Sequence, residues 1–155
     1  MEISKPSQAY VALSISYWSN EDVIEWATQG LSKSADDQDL ELLKEIAWLN
    51  SKQKLQVDKA GKFLESYISE KGSDFEFFKY EEDAKQMLSN RIQQYLNGEC
   101  PPYGLCQMVS PIEHCFDSPN WLGDLYNSCD WCEPNSHHSD FRHLEQTAKE
   151  VLNAL

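Results

Sequence analysis

Apolar residues recur along this 155-residue chain at helical spacing far more often than at strand spacing. The clearest case is 84–96, where Ala84, Met87, Leu88, Arg91, Ile92, Tyr95 and Leu96 follow a 3.6-residue period. Gly98 stands where that helix should end. Earlier, Asp36 can cap a helix running through Asn50, with Asp39 at its third position. Leu40, Leu42, Leu43, Ile46, Ala47 and Leu49 fill about half of its circumference. Asp37, Glu41, Glu45 and Trp48 fall on the other side.

Four more stretches read as helices. Ser19 with Asp22 resembles a capping box in front of "NEDVIEWATQGL", whose apolar face is Val23, Ile24, Trp26, Ala27 and Leu31, with Gly30 near its end. Val57, Ala60, Leu64 and Ile68 align over 57–69. Ser118 and Pro119 read as N-cap and first residue of a short helix, "PNWLGDLYNS". Phe141, Leu144, Ala148, Val151, Leu152 and Leu155 form a final stripe.

Other stretches break the helical pattern. "YVALSIS" alternates Val11, Leu13 and Ile15 against small or polar residues, which predicts a strand. "FEFFKY" (75–80) reads as a strand or an extended connector. From Glu99 to Asp117 periodicity disappears, and Pro101, Pro102, Pro111 and Gly104 mark a loop. The expected fold is mainly α, about six helices in one globular domain over 1–155, with room for a minor strand pair. A long irregular segment at 97–140 holds all five cysteines and five of the six prolines.

Size and composition support a folded chain. With 41% hydrophobic and 12% aromatic residues it has the apolar surface that disordered chains lack. At this length roughly 70% of the unfolded surface is buried without staples. No basic segment leads into an apolar one near Met1, and no eighteen apolar residues run together, so neither a secretory signal nor a membrane span is expected. An odd number of cysteines without an export signal points to free thiols in a reducing cytoplasm. A monomer or small oligomer is expected.

The net charge of −13 narrows the partners. Such a field repels phosphate backbones and anionic membranes, so no nucleic acid and no membrane is expected, and a basic protein is the natural counterpart. The charge is unevenly placed. Residues 1–50 carry nine acids and three bases, 51–91 carry eight of each, and 92–155 carry nine acids and two bases. No Lys or Arg lies between Arg91 and Arg142.

One stretch, "NSCDWCEPNSHHSDF" (127–141), makes a pointed chemical claim. Cys129 and Cys132 have the spacing of two zinc ligands, and a structural zinc needs four. Cys100 with Cys106, His114 with Cys115, or a histidine of the His137–His138 pair would complete the set. The alternative is that small apolar cysteines pack beside Phe116, Trp121 and Trp131. The expectation is that Cys129 and Cys132 are structural and hold no metal. Redox chemistry of the thioredoxin type is disfavoured. Cys129 falls at the negative end of a predicted helix, and Asp130 and Glu133 further raise a thiol's pKa.

Catalytic motifs are missing. There is no G-x-S-x-G elbow, no glycine-rich phosphate loop and no H-E-x-x-H, so neither a catalytic residue nor a cofactor is assigned. Two acidic regions remain as candidate partner-binding surfaces. One is the polar face of the 36–50 helix, Asp37, Glu41 and Glu45 around Trp48, an aromatic anchor among carboxylates. The other is the cation-free segment with Asp117, Asp124, Asp130 and Glu133.

Small size, one domain, strong acidity and missing catalytic motifs together resemble the immunity proteins of bacterial toxin systems, including contact-dependent growth inhibition. The resemblance spans the whole chain. It implies a cytoplasmic inhibitor that binds a basic toxin domain, often a nuclease, and occludes its cleft. A zinc-stabilised adaptor using Cys129 and Cys132 is the alternative, and an enzyme of unrecognised type is third.

Overall fold

A computed structural model describes residues 2–32, 37–49, 57–70, 75–129, 132–134 and 141–155, and among them the chain is helical with no strand. Its contacts concentrate in two units: Glu2–Leu13 with Trp18–Glu76, and Ser14–Tyr17 with Phe77–Leu155.

The first unit is built mainly from α1 (Pro6–Ser14), α2 (Asn20–Ser32), α3 (Asp37–Ala47) and α4 (Lys59–Glu70). The capping box at α2 forms as expected. The Asp22 carboxylate accepts from the Ser19 amide at 2.8 Å, and the Asp22 amide donates to the Ser19 hydroxyl at 3.3 Å. Ala9, Val23, Ile24, Ala27, Leu42, Leu43, Ile46, Leu49, Ala60 and Leu64 make the core. The buried arc of α3 is thus the predicted one. Gly30 lies near the end of α2, as expected, where a side chain would meet Leu43 Cδ1 at 3.1 Å. The Tyr67 hydroxyl donates to the Asp39 carboxylate, joining α4 to α3.

The strand expected at "YVALSIS" is a correction, because the segment lies mostly in α1. Two signals outweigh the alternation. Pro6 occupies the first helical position, where its missing N–H costs nothing, and Gln8 Oε1 accepts the Lys5 amide at 3.2 Å, the return half of a capping box. Pro6, Ala9, Val11 and Ala12 are all buried, so α1 is enclosed on more than one side. A helix so enclosed shows no clean apolar stripe.

In the second unit, the 3-10 turn Phe77–Tyr80 leads into α5 (Glu81–Leu96). The extended reading of "FEFFKY" is therefore corrected to a 3-10 turn over most of its length. Next come α6 (Pro102–Cys106), α7 (Val109–Cys115), the 3-10 turn Asn120–Leu122, α8 (Leu125–Ser128) and α9 (Arg142–Ala154). α5 packs on α6 and α9, and α8 packs on α9. Met87, Leu88, Ile92, Tyr95, Leu105, Met108, Ile112, Leu125 and Leu144 are fully enclosed.

The irregular segment is a second correction, since 102–115 contains two helices. The prolines misled because each sits in a first turn. Pro102 opens α6 and Pro111 is third in α7, positions whose amides have no intrahelical partner to lose. Ser118–Pro119 does not start a continuous helix either. Pro119 is extended, and Gly123 at φ 60° separates the 3-10 turn from α8.

After α7 the chain leaves in a left-handed corner. Asp117 and Ser118 adopt φ 53° and 52°, and the Ser118 amide reaches back to the Glu113 carbonyl at 2.8 Å. That bond is the longer of the two that close a Schellman-type helix end.

Candidate functional site

The exposed side of α3 presents a compact set of side chains. Glu41 and Glu45 are a helical turn apart and exposed, and Trp48, just past the helix end, is 72% exposed. Leu42, Leu43, Ile46 and Leu49 point inward from the same segment and are buried. The helix period alone explains this division: residues 41, 45 and 48 share a face that the leucines leave free. An indole left in water forgoes on the order of 2 kcal/mol of burial, so Trp48 contributes little to folding.

Lys44 also lies on this side, with its ammonium 3.6 Å from the Glu41 carboxylate and both groups well exposed. Sequence reasoning had left it out of the face. The pair relieves some of the repulsion between Glu41 and Glu45, and at such exposure it adds little stability. The remaining acid of this proposed surface, Asp37, is the first residue of α3, and its side chain lies outside the described residues.

The second acidic set belongs to the other unit. Asp117 is exposed at the corner after α7. Asp124 is exposed at the start of α8, where its carboxylate accepts from the Asn127 side-chain amide at 2.7 Å. Glu133 is exposed, and Asp130 lies outside the described residues. These three carboxylates occupy different connections rather than one helical face.

The cysteines differ from expectation. Cys106, last residue of α6, forms a disulfide with Cys129, which caps α8, across a separation of 23 residues. The expectation of five free thiols is thereby corrected. Spacing within the CxxC drew attention to Cys129 with Cys132, but the packing of α7 on both α6 and α8 brings Cys129 to Cys106 instead. Cys129 consequently has no thiolate to offer a metal. Among the described residues no three His, Cys, Asp or Glu side chains converge on a point that could hold an ion. His137 and His138 lie outside the described residues.

Cys100, Cys115 and Cys132 are free and partly buried, and burial is the leading cause that pushes each thiol's pKa upward. For Cys132 the upward direction matches expectation, and burial is its cause among the described residues. At Cys100 the opposing influence is the positive charge of Arg91, which favours the thiolate.

Arg91 is the residue the periodicity placed correctly without disclosing its role. Its Nη1 donates to the Gly104 carbonyl and its Nη2 to the Tyr17 carbonyl, each at 2.7 Å, and the guanidinium stacks over the Tyr17 ring at 5.3 Å. A charged residue on an otherwise apolar stripe was the available signal. Close by in sequence, Tyr95 is fully enclosed, and burial pushes its phenol up to about 12, with Glu145, Cys132 and Cys100 adding in the same direction.

An aromatic group completes the picture of this unit. Phe116 meets Phe77, Phe78 and Trp121 edge-on, and the Trp121 indole donates to the Glu81 carboxylate at 2.6 Å. Trp131, the third aromatic of the expected cysteine packing, lies outside the described residues.

No known protein family, characterised protein or solved structure matches the chain. Among the described residues no helix is long and apolar enough to cross a membrane.

Proposed function

We propose that this protein binds and neutralises a basic partner protein, in the manner of a toxin-system immunity protein, and that the outer face of α3 is its principal contact. The observation that carries the reading is Trp48, 72% exposed beside Glu41 and Glu45 on a helix whose other side is fully committed to the core. Aromatic side chains held in water next to carboxylates have the composition of interface hot spots. The chain's net charge of −13 supplies the long-range attraction for a cationic surface, and the same charge repels nucleic acid.

The mechanism has two stages. Attraction between the acidic surface and a basic toxin domain speeds encounter. Desolvation of Trp48 in a pocket of the partner then slows departure, and the bulk of the bound inhibitor occludes the partner's cleft. The carboxylates Asp117, Asp124 and Glu133 extend the acidic field and serve as a secondary contact. The site of action in this proposal is the bacterial cytoplasm. The disulfide removes the support that free thiols would have lent to that location.

Capture at low salt from the native cell, with the retained proteins identified, tests the proposal. A basic protein should be retained by the wild-type chain, released as salt rises, and lost with Trp48→Ala. If the retained proteins are the same for wild type and Trp48→Ala, the α3 face is only a solvated helix surface.

A further inference from the structure

The Cys106–Cys129 disulfide has a third cysteine beside it. The Cys132 amide donates to the Cys129 carbonyl at 3.1 Å, which brings the backbones of the two cysteines together. Cys132 is free and only partly buried. A free thiol is thus held three residues along the chain from a disulfide cysteine, with its own amide bonded to that cysteine's carbonyl.

We propose that Cys132 is an internal exchange partner of this disulfide, so that the chain carries two interchangeable crosslinks, Cys106–Cys129 and Cys129–Cys132. In the exchange, the Cys132 thiolate attacks Cys129 Sγ. A sulfur–sulfur bond forms between Cys132 and Cys129 as the Cys129–Cys106 bond breaks, and Cys106 leaves as a thiolate that takes up the proton Cys132 gave away. One disulfide and one thiol are present before and after, so no oxidant or reductant is consumed.

The fold determines which element is released. Cys129 follows Ser128, whose hydroxyl is hydrogen-bonded to Thr147 of α9 at 2.9 Å and to the Asp124 carbonyl at 3.1 Å. Cys129 therefore stays with α9. Cys106 ends α6, a helix of only five residues, and it is α6 that loses its covalent tie. Burial of the Cys132 thiol keeps its thiolate scarce at neutral pH, and proximity compensates, because reactions between groups held together run at a high effective concentration.

The test uses the intact oxidised protein held near the ordinary thiol pKa, then alkylated and acidified. Cleavage after Glu99 and Glu113 separates a fragment carrying Cys100 and Cys106 from one carrying Cys115, Cys129 and Cys132. The proposal expects unlinked fragments from part of the wild-type protein, with Cys106 alkylated and an internal Cys129–Cys132 bond. The variant C132S should lose that population and retain the linked fragments. Fragments that stay linked in wild type with Cys106 unlabelled would overturn the proposal. Equal labelling of Cys106 in C132S, or a link that has moved to Cys106–Cys132, would overturn it as well.

Discussion

The Ser128 hydroxyl donates to the Thr147 hydroxyl across 2.9 Å in the interior between α8 and α9. Both residues are buried among apolar neighbours, and they are the two buried polar residues among those described. Ser128 has a second acceptor in the Asp124 carbonyl, so it remains satisfied when Thr147 changes. Thr147→Val, which keeps the shape, should lower the unfolding free energy by about 1 kcal/mol in urea titration. Ser128→Val should cost more, because it adds volume and strips both bonds from α8.

Gly123 should be among the least replaceable residues. Its φ of 60° with ψ of −138° is open to glycine and hostile to other residues. A Cβ there would also stand 2.9 Å from Val151 Cγ2 on α9. Gly123→Ala should destabilise by on the order of 2 kcal/mol, measured as a lower midpoint at unchanged m-value. Gly98, equally left-handed at φ 77° but with open space around it, should cost less on the same substitution.

Stability should fall on the alkaline side. Tyr95 ionises near 10 when unfolded and at about 12 when folded, so between these values the unfolded chain has released a proton the folded chain still holds. Its contribution is fully present below pH 10 and is lost as pH rises toward 12. The three partly buried thiols, each raised above 9.0, begin a decline of the same sign at lower pH. Tyr95→Phe should flatten the upper part of the curve without affecting the part that begins with the thiols. Melting temperature measured across an alkaline pH series checks this.

Reducing the disulfide should destabilise by roughly 3 kcal/mol, since it closes a loop of about two dozen residues in the unfolded chain. Denaturation with and without a strong reductant measures the difference, and Cys106→Ser should reproduce most of it. A change below about 1 kcal/mol would mean that the unfolded chain retains structure around α6 to α8.

Replacing both Glu41 and Glu45 with lysine should leave the fold intact, since both side chains are exposed and, among the described residues, the Lys44–Glu41 ion pair is what the change removes. The change should slow association with the proposed basic partner, whereas Trp48→Ala should act mainly on dissociation, at about 2 kcal/mol. Rates measured at two ionic strengths distinguish the two effects, because only the first is screened.

Where one helical face was apolar and the other polar, the sequence was easily read. α3 and α5 are the best cases: Leu42, Leu43 and Ile46, and Met87, Leu88 and Ile92, are buried as their spacing requires. α1 was missed because its surroundings bury several sides at once, which erases the stripe. α6 and α7 are five and seven residues long, too short for periodicity to register. The exposed face of α3 was legible because exposure there is the complement of a strong apolar arc. The disulfide was not, since Cys106 and Cys129 become neighbours only when α7 packs on both α6 and α8. Arg91 was visible as an anomaly, while its partners, the Tyr17 and Gly104 carbonyls, are backbone atoms that carry no sequence signature.

The left-handed corner at Asp117 and Ser118 has a consequence for how this protein can change. Each residue adopts a backbone conformation that costs an ordinary side chain about 1 kcal/mol and costs glycine nothing, with Asp the more tolerant of the two. Asp117 also sets a carboxylate at the negative end of α7. Both side chains are exposed, so neither is held there by packing, although the Ser118 hydroxyl donates to the Glu113 carboxylate at 3.3 Å. Glycine at 117 would add stability without disturbing a core contact and would remove an unfavourable charge, while at 118 the loss of that hydrogen bond offsets part of the gain. The chain thus keeps an untapped margin at one surface corner, able to absorb the destabilising substitutions through which the proposed binding face would acquire a new specificity.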